Sequence, residues 1–183
     1  MDTEDRIMEK IAGLTAWAQR NSRVATLSVL LLVGAGVAGL VYMDYRSDLE
    51  NQAAVRLDEI RMGMRGTPPA QIRQQLAGYI EQFSATRTAD QARILLAEME
   101  LERDSADAAV RLLEPVVELD GGPLGYNAGW LRAVAEEQCG DRDAAAEWYE
   151  RLADAAPHEY QRRRALAARA RLHEYAGEYG EAE

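Results

Sequence analysis

Two histidine–glutamate pairs come closest to a known catalytic pattern. His158-Glu159 and His173-Glu174 each match the first half of H-E-x-x-H, in which two histidines one helical turn apart hold zinc and the glutamate acts as general base. The position four residues after each histidine holds Arg162 in one case and Gly177 in the other. Neither residue is a zinc ligand, so the spacing excludes a zinc protease of this type.

A glycine-rich run is the second candidate for chemistry. Residues 34–39 match G-x-G-x-x-G, and Asp58 and Glu59 lie about 20 residues further on. A dinucleotide site needs those glycines in the turn between a strand and a helix, inside a βαβ unit. Nothing downstream reads as a second parallel strand, and apolar residues flank the glycines on both sides. We therefore do not expect nucleotide binding.

The composition is that of an acidic, helix-rich chain. Of its 183 residues, 48% are hydrophobic and 28% are charged, as in ordinary folded proteins. The net charge of −10 argues against a general nucleic-acid binder, because phosphate backbones need clustered basic residues. The single cysteine, Cys139, excludes an internal disulfide; it is expected to pack as a small residue, with an intermolecular disulfide as the alternative. We expect no catalytic residues, cofactor, metal or small-molecule substrate.

Residues 24–43 form an uninterrupted apolar stretch without a charge. As a helix rising ~1.5 Å per residue, this stretch would span ~30 Å, which is the thickness of the hydrocarbon core of a bilayer. Arg20 and Arg23 precede it, and aromatic residues lie near both of its ends. The pattern predicts a transmembrane helix with the short N-terminal side in the cytoplasm and the remainder exported.

Small residues inside this stretch suggest a further role. Gly34 with Ala38, and Ala35 with Gly39, have the small-xxx-small spacing that favours close contact between helices in lipid. A small-x-small triplet at 36–38 leaves a cleaved signal peptide as the alternative to an anchor. The preceding residues are, however, too many and too balanced in charge for a short basic leader.

The segments on either side of the apolar stretch are predicted to be helical. Residues 1–23 carry apolar side chains at helical spacing and predict a cytoplasmic amphipathic helix. Residues 44–88 keep that spacing and predict linker helices, interrupted by Gly-Thr-Pro-Pro at 66–69. Thr67 is the expected cap of the helix that follows.

An internal repeat occupies residues 89–183. Similar sequences begin at Asp104, Gly140 and Gly177, 36 and 37 residues apart, and are expected to form the turn between the two helices of each repeat. Each follows a helical stretch with a small residue at a matching place, namely Ala97, Ala133 and Ala170. A period of roughly 34 residues and small residues where helices cross are typical of tetratricopeptide repeats (TPRs). The sequence therefore predicts an all-α fold in which the transmembrane helix leads into a TPR-like α-hairpin solenoid.

The repeat pattern has two irregularities. Pro115 falls within the second helix of one repeat and is expected to kink it. The last repeat is incomplete at Glu183, which would leave an apolar flank of its first helix uncovered. That flank consists of Leu166, Ala170 and Leu172. We expect either truncation or capping by a partner, because solenoids need polar end caps.

The architecture resembles the single-pass, TPR-bearing ancillary subunit family of the bacterial SecYEG translocon. The resemblance rests on Ala16-Trp17-Ala18 in the N-terminal helix, on a glycine-rich anchor that ends near Tyr42, and on residues 79–83 with the alanine-rich helix after them. It implies a bacterial inner-membrane protein whose periplasmic TPR domain contacts translocon subunits, periplasmic chaperones or client polypeptides. The alternatives are TPR scaffolds in envelope assembly, cytochrome c maturation or membrane-linked regulation.

The concave face of the predicted solenoid is the candidate binding site, since the first helices of TPRs line a groove. By position this face carries Gln91, Ile94, Glu98, Leu101 and Glu102 from one repeat and Asn127, Trp130, Val134 and Glu137 from the next. The mixture is apolar with acidic edges, which suits extended or unfolded protein segments. Trp130 is predicted to anchor a partner, and packing between repeats is the alternative for this residue.

Overall fold

The computed structural model describes residues 21–118 and 122–180, and within these ranges all regular structure is helical. The seven helices are α1 (Ser22–Gly63), α2 (Pro69–Gln82), α3 (Arg87–Leu101), α4 (Ala106–Leu113), α5 (Pro123–Cys139), α6 (Arg142–Asp154) and α7 (Glu159–Gly180). The amphipathic helix predicted for residues 1–23 lies almost entirely outside the described residues.

The chain divides into two compact units between Asp48 and Leu49. In the described part of the first unit, α1 carries many exposed apolar side chains, among them Leu31, Leu32 and Leu40. The second unit contains the remaining helices and the hydrophobic cores.

Across residues 21–118 and 122–180, the structure contains no helix that combines the length and the apolarity needed to cross a membrane. The predicted transmembrane helix at 24–43 is therefore wrong, and so is the single-pass inner-membrane localisation with a periplasmic C-terminal domain. The apolar stretch does not form a helix of its own, because α1 runs on from Asp44 through charged residues to Gly63. Three glycines within the stretch add no apolar side chain. The helix packing predicted for Gly34, Ala35, Ala38 and Gly39 stays a prediction.

The second unit is a solenoid-like stack of helices around three successive core clusters. The first cluster lies between α1, α2 and α3, the second between α3, α4 and α5, and the third between α5, α6 and α7. The largest fully buried side chains are Leu57 and Leu76 in the first cluster, Leu113 in the second, and Tyr149 and Leu152 in the third. Because α3 and α5 each contribute to two clusters, neighbouring clusters share a helix, as in repeat proteins.

Small residues allow the close helix crossings in this stack. Ala97 and Ala133 are completely buried, as the repeat pattern predicts. Ala170, the third member of that pattern, is exposed on α7, so the prediction is wrong for this position. Of the rest of the apolar flank predicted for α7, Leu166 is exposed, whereas Leu172 is buried in the third cluster.

Three predictions, about a helix cap, a kink and a turn, differ from the observed structure. Pro68, rather than Thr67, occupies the N-cap position of α2, and no side chain caps that helix. Pro115 does not kink a helix, because α4 already ends at Leu113; proline lacks the N–H that would continue it. The predicted turn at Gly177 is absent, since α7 runs through this residue, and a helical glycine costs only about 1 kcal/mol relative to alanine.

Candidate functional site

A shallow groove in the second unit is bordered by α1, α3 and α5. Its lining residues are Arg61, Gln91, Ile94, Leu95, Glu98, Leu124 and Asn127, and we call it the α3–α5 groove. The more buried lining residues are the apolar ones, whereas Arg61, Gln91 and Asn127 are exposed. Its volume of about 280 Å³ lies below the roughly 300–1,000 Å³ of small-molecule pockets, so the groove suits one or two inserted side chains.

Helix α3 is held against α1 by contacts at its N-terminus. The Thr86 hydroxyl accepts a hydrogen bond from the backbone N–H of Ala89 (3.1 Å), as an N-cap residue does. The Glu50 carboxylate on α1 accepts from the backbone N–H groups of Arg87 (3.1 Å) and Thr88 (3.0 Å). The Thr88 hydroxyl donates to the same carboxylate at 2.5 Å. The carboxylate satisfies N–H groups that have no partner within the helix and complements the helix dipole, so it fixes one wall of the groove.

Helix α5 is positioned by a close backbone approach in its first turn. A Cβ atom added at Gly125 would lie 1.8 Å from the carbonyl oxygen of Glu118. Only a glycine fits this contact without a shift of the backbone. Gly125 lies between Leu124 and Asn127, the two groove residues of α5, so the contact places both of them.

The charges at the groove are unequally compensated. The Arg61 guanidinium lies 3.8 Å from an Asp58 carboxylate oxygen and donates a hydrogen bond to the Gln91 side-chain oxygen (3.3 Å). Burial raises the pKa of Glu98, and the negative charge of Glu102 raises it further. The groove therefore has a compensated cation, Arg61, on one side. On the other side it has the Glu98 carboxylate, whose charged form is disfavoured by burial and by the Glu102 charge.

The structure brings together only part of the predicted binding face. Ile94 and Glu98 line the α3–α5 groove, together with Gln91 and Asn127, which the sequence assigned to the same face. Leu101 is buried in the second core cluster, and Val134 packs against that cluster. Trp130 and Glu137 are not among the lining residues of the groove. Partner binding by Ile94, Glu98, Leu101, Trp130, Val134 and Glu137 stays a prediction.

Trp130 and Glu137 belong to a cluster that joins α5, α6 and α7. The Trp130 ring meets Tyr149 edge-on at 5.2 Å between centroids, and the Arg164 guanidinium lies 3.9 Å from the Trp130 ring centroid. The Tyr149 hydroxyl donates to Glu137 (2.5 Å), which also forms an ion pair with Arg171 (2.8 Å). Burial, followed by the hydrogen bond to Glu137, raises the pKa of Tyr149. These contacts correspond to the alternative for Trp130, which is packing between repeats.

Sequence reasoning missed three lining residues of the groove: Arg61, Leu95 and Leu124. Arg61 lies in the segment predicted as linker helices, so the repeat pattern gave no reason to place it beside α3. Leu95 directly follows Ile94, and a shift of one residue along the predicted face would have included it. Leu124 directly follows the proline that begins α5, and its position depends on the Gly125 contact.

Within the described ranges, no three histidine, cysteine or acidic side chains are grouped so that they could hold a metal. The His158 ring stacks on Tyr160, with centroids 5.6 Å apart. Cys139 is exposed rather than packed, so its predicted packing is wrong. Its Sγ lies 3.6 Å from Asp107 Oδ1, and partial desolvation, followed by the Asp107 charge, raises the pKa of the thiol. Residues 34–39 lie inside α1 and form no phosphate-binding turn.

Comparison with known families identifies the repeat type. Residues 15–123, more than half of the chain, match the tetratricopeptide repeat-like domain. The chain therefore belongs to the TPR-like family. The comparison with curated proteins found no match, and neither did the comparison with solved structures. The match establishes a TPR-like protein and does not confirm the narrower resemblance to the translocon ancillary subunits.

Proposed function

We propose that this protein is a non-enzymatic adaptor that binds an extended segment of a partner protein in the α3–α5 groove. The observation that carries the proposal is that two amide side chains, Gln91 on α3 and Asn127 on α5, line one groove. Ile94, Leu95 and Leu124 line the same groove. TPR-like domains typically act as scaffolds for protein–protein interactions, and stacked repeats provide extended concave surfaces for binding.

The chemistry of the groove suits a polypeptide. A side-chain amide offers both donors and an acceptor, which match the C=O and N–H groups of an extended main chain. The apolar residues of the groove can receive one partner side chain, and its small volume favours a segment that inserts one or two residues. The burial of that side chain would supply affinity, and the amide contacts would set the path of the main chain.

A variant with Gln91→Ala and Asn127→Ala tests this proposal. Both residues are exposed, so the double variant should keep its fold, as checked by circular dichroism. We expect the variant to bind labelled extended peptides about tenfold more weakly than the original chain in fluorescence anisotropy, since two hydrogen bonds of about 1 kcal/mol or less each are lost. Glu147→Gln on the exposed surface of α6 is the control and should leave the affinity unchanged. Undiminished binding by the double variant would refute the groove as the binding site.

The resemblance to translocon ancillary subunits names the partners that we propose to test first. They are translocon subunits, chaperones and client polypeptides. Affinity capture with the full-length chain, followed by mass spectrometry, should recover such partners and lose them with the double variant. If only envelope-assembly or cytochrome c maturation proteins are captured and then lost with that variant, the scaffold alternative is the correct one.

A further inference from the structure

We infer that the α3–α5 groove selects extended segments in which a basic side chain lies two residues from the apolar side chain that enters the groove. This inference rests on the proposed function, because it specifies the partner segment of the same site. It follows from the placement of the Glu98 carboxylate in the lining, with Glu102 near it, and from the spacing along α3.

The first observation is that Glu98 and Glu102 lack a cation. Glu98 lies in the last turn of α3, and Glu102 is the C-cap residue four positions further on. In the described part of the chain neither has a basic side chain within ion-pair distance. Glu100, on the same helix, has two: Arg73 at 3.4 Å and Arg103 at 3.1 Å. Among the described residues, the structure thus compensates the carboxylate that packs against α2 and leaves Glu98, which lines the groove, and its neighbour Glu102 uncompensated.

The second observation concerns the sign of the charge that the groove can accept. Arg61 is the basic residue of the lining, and it already interacts with Asp58 and Gln91. An acidic partner side chain would have to compete with Asp58 and would meet the repulsion of Glu98. A basic partner side chain would instead relieve the like-charge repulsion between Glu98 and Glu102 and offset the cost of burying Glu98.

The spacing follows from helix and strand geometry. Ile94 and Leu95 precede Glu98 by four and three residues, so at ~1.5 Å per residue the apolar lining and the first carboxylate are ~4.5–6 Å apart along α3. An extended chain advances ~3.3 Å per residue, and residues two apart point to the same side, ~6.6 Å from each other. A segment running along α3 therefore places an apolar and a basic side chain over these two points when one residue separates them. A basic residue directly next to the apolar one would point away from the groove.

Peptides of identical composition separate this register from simple charge attraction by an acidic protein. The probes are labelled peptides with the sequences Ala-Ser-Leu-Ser-Arg-Ser-Ala, its reversed sequence, and Ala-Ser-Leu-Arg-Ser-Ser-Ala. A fourth peptide carries glutamine in place of arginine in the first sequence. Binding to the full-length chain is measured by fluorescence anisotropy at fixed ionic strength.

We expect the better of the first two peptides to bind about three- to tenfold more tightly than the adjacent-arginine and glutamine peptides, as one partly buried ion pair allows. Glu98→Gln and, separately, the more exposed Glu102→Gln should reduce this preference, whereas Glu147→Gln should preserve it. Either of the two variants, Glu98→Gln or Glu102→Gln, is sufficient for the test if circular dichroism shows that it stays folded.

The outcomes distinguish the two levels of the proposal. If all four peptides bind equally, and the Gln91→Ala/Asn127→Ala variant weakens all of them, the adaptor function stands and the selection for a basic residue is refuted. If the adjacent-arginine peptide binds as tightly as the better of the first two peptides, and both bind more tightly than the glutamine peptide, the charge matters but the inferred spacing is wrong. If none of the peptides binds, both the inference and the groove as a peptide site are overturned.

Discussion

Gly125→Ala probes the contact that places α5 beside the groove. The added Cβ would lie 1.8 Å from the carbonyl oxygen and 2.8 Å from the carbonyl carbon of Glu118. Real Cβ atoms essentially never approach another heavy atom within 3.0 Å, so the oxygen contact must open by at least 1.2 Å, the difference between 3.0 and 1.8 Å. Both atoms belong to the backbone, which means that no side-chain rotation can relieve the clash.

The magnitude is set by two opposing effects. Overpacking that forces the backbone to move costs about 1–3 kcal/mol or more. Alanine is the better helix former by about 1 kcal/mol in a helix interior and by less in the first turn, where Gly125 lies. We therefore expect the free energy of unfolding to fall by about 1–2 kcal/mol.

Gly78→Ala is the matched control for this prediction. Gly78 lies in α2, is exposed, and has no heavy atom within 4 Å of an added Cβ. The same substitution should here raise the free energy of unfolding by about 0.5–1 kcal/mol, because only the helix propensity changes. Urea unfolding of both variants, followed by circular dichroism at 222 nm as a standard helix signal, measures the two differences.

The signs of the two effects decide the test. If Gly125→Ala is as stable as the original chain, the close approach to Glu118 is not a feature of the folded protein. Gly125→Ala should also weaken binding of the peptide probes, since Leu124 and Asn127 must move with the first turn of α5. Gly78→Ala should leave that binding unchanged.

Three further substitutions test other contacts. Glu50→Ala leaves the N–H groups of Arg87 and Thr88 without their carboxylate and should lower the free energy of unfolding by about 1.5–3 kcal/mol in urea titrations; no change would refute the cap. Glu98→Gln should slightly raise stability at neutral pH, because the folded state disfavours the charged form and raises the pKa of Glu98. This gain should vanish as the pH falls below the range in which glutamate ionises in the unfolded chain, because the original residue is then neutral in both states. Trp130→Ala should lower the free energy of unfolding by roughly 2–3 kcal/mol, which is less than the loss expected for a fully buried tryptophan. If the folded variant binds the peptides with unchanged affinity, Trp130 serves packing between repeats. If it loses affinity while its fold is kept, Trp130 anchors a partner.

The local pattern of residue types was sufficient to predict the helices and the type of stack. Apolar side chains at helical spacing, small residues at Ala97 and Ala133, and a glycine at position 140 are local signals, because they act within one helix, one crossing or one turn. Gly140 indeed ends α5 in a left-handed conformation with φ of 85°. The same kind of reasoning predicted Ile94 and Glu98 on a common face, since both follow from the register of a single helix.

Local patterns failed where the outcome depends on more than one segment. The apolar run at 24–43 predicted a membrane span when read alone, whereas in the structure it is part of a longer helix with a charged continuation. Leu101 and Val134 have the same apparent register as the groove residues, yet Leu101 is buried in the second core cluster and Val134 packs against it. That cluster forms where α3, α4 and α5 meet, which the register of one helix does not reveal.

The groove itself was decided by tertiary packing. Arg61 meets Gln91 across 30 positions of chain, and Glu50 caps α3 from 37 positions away. The pairing of Glu100 with Arg73, which leaves Glu98 and Glu102 uncompensated, depends on how α2 lies against α3. Helix register is encoded within a few residues, but which faces meet, and therefore which charges are neutralised, is determined by the packing of side chains from distant parts of the chain.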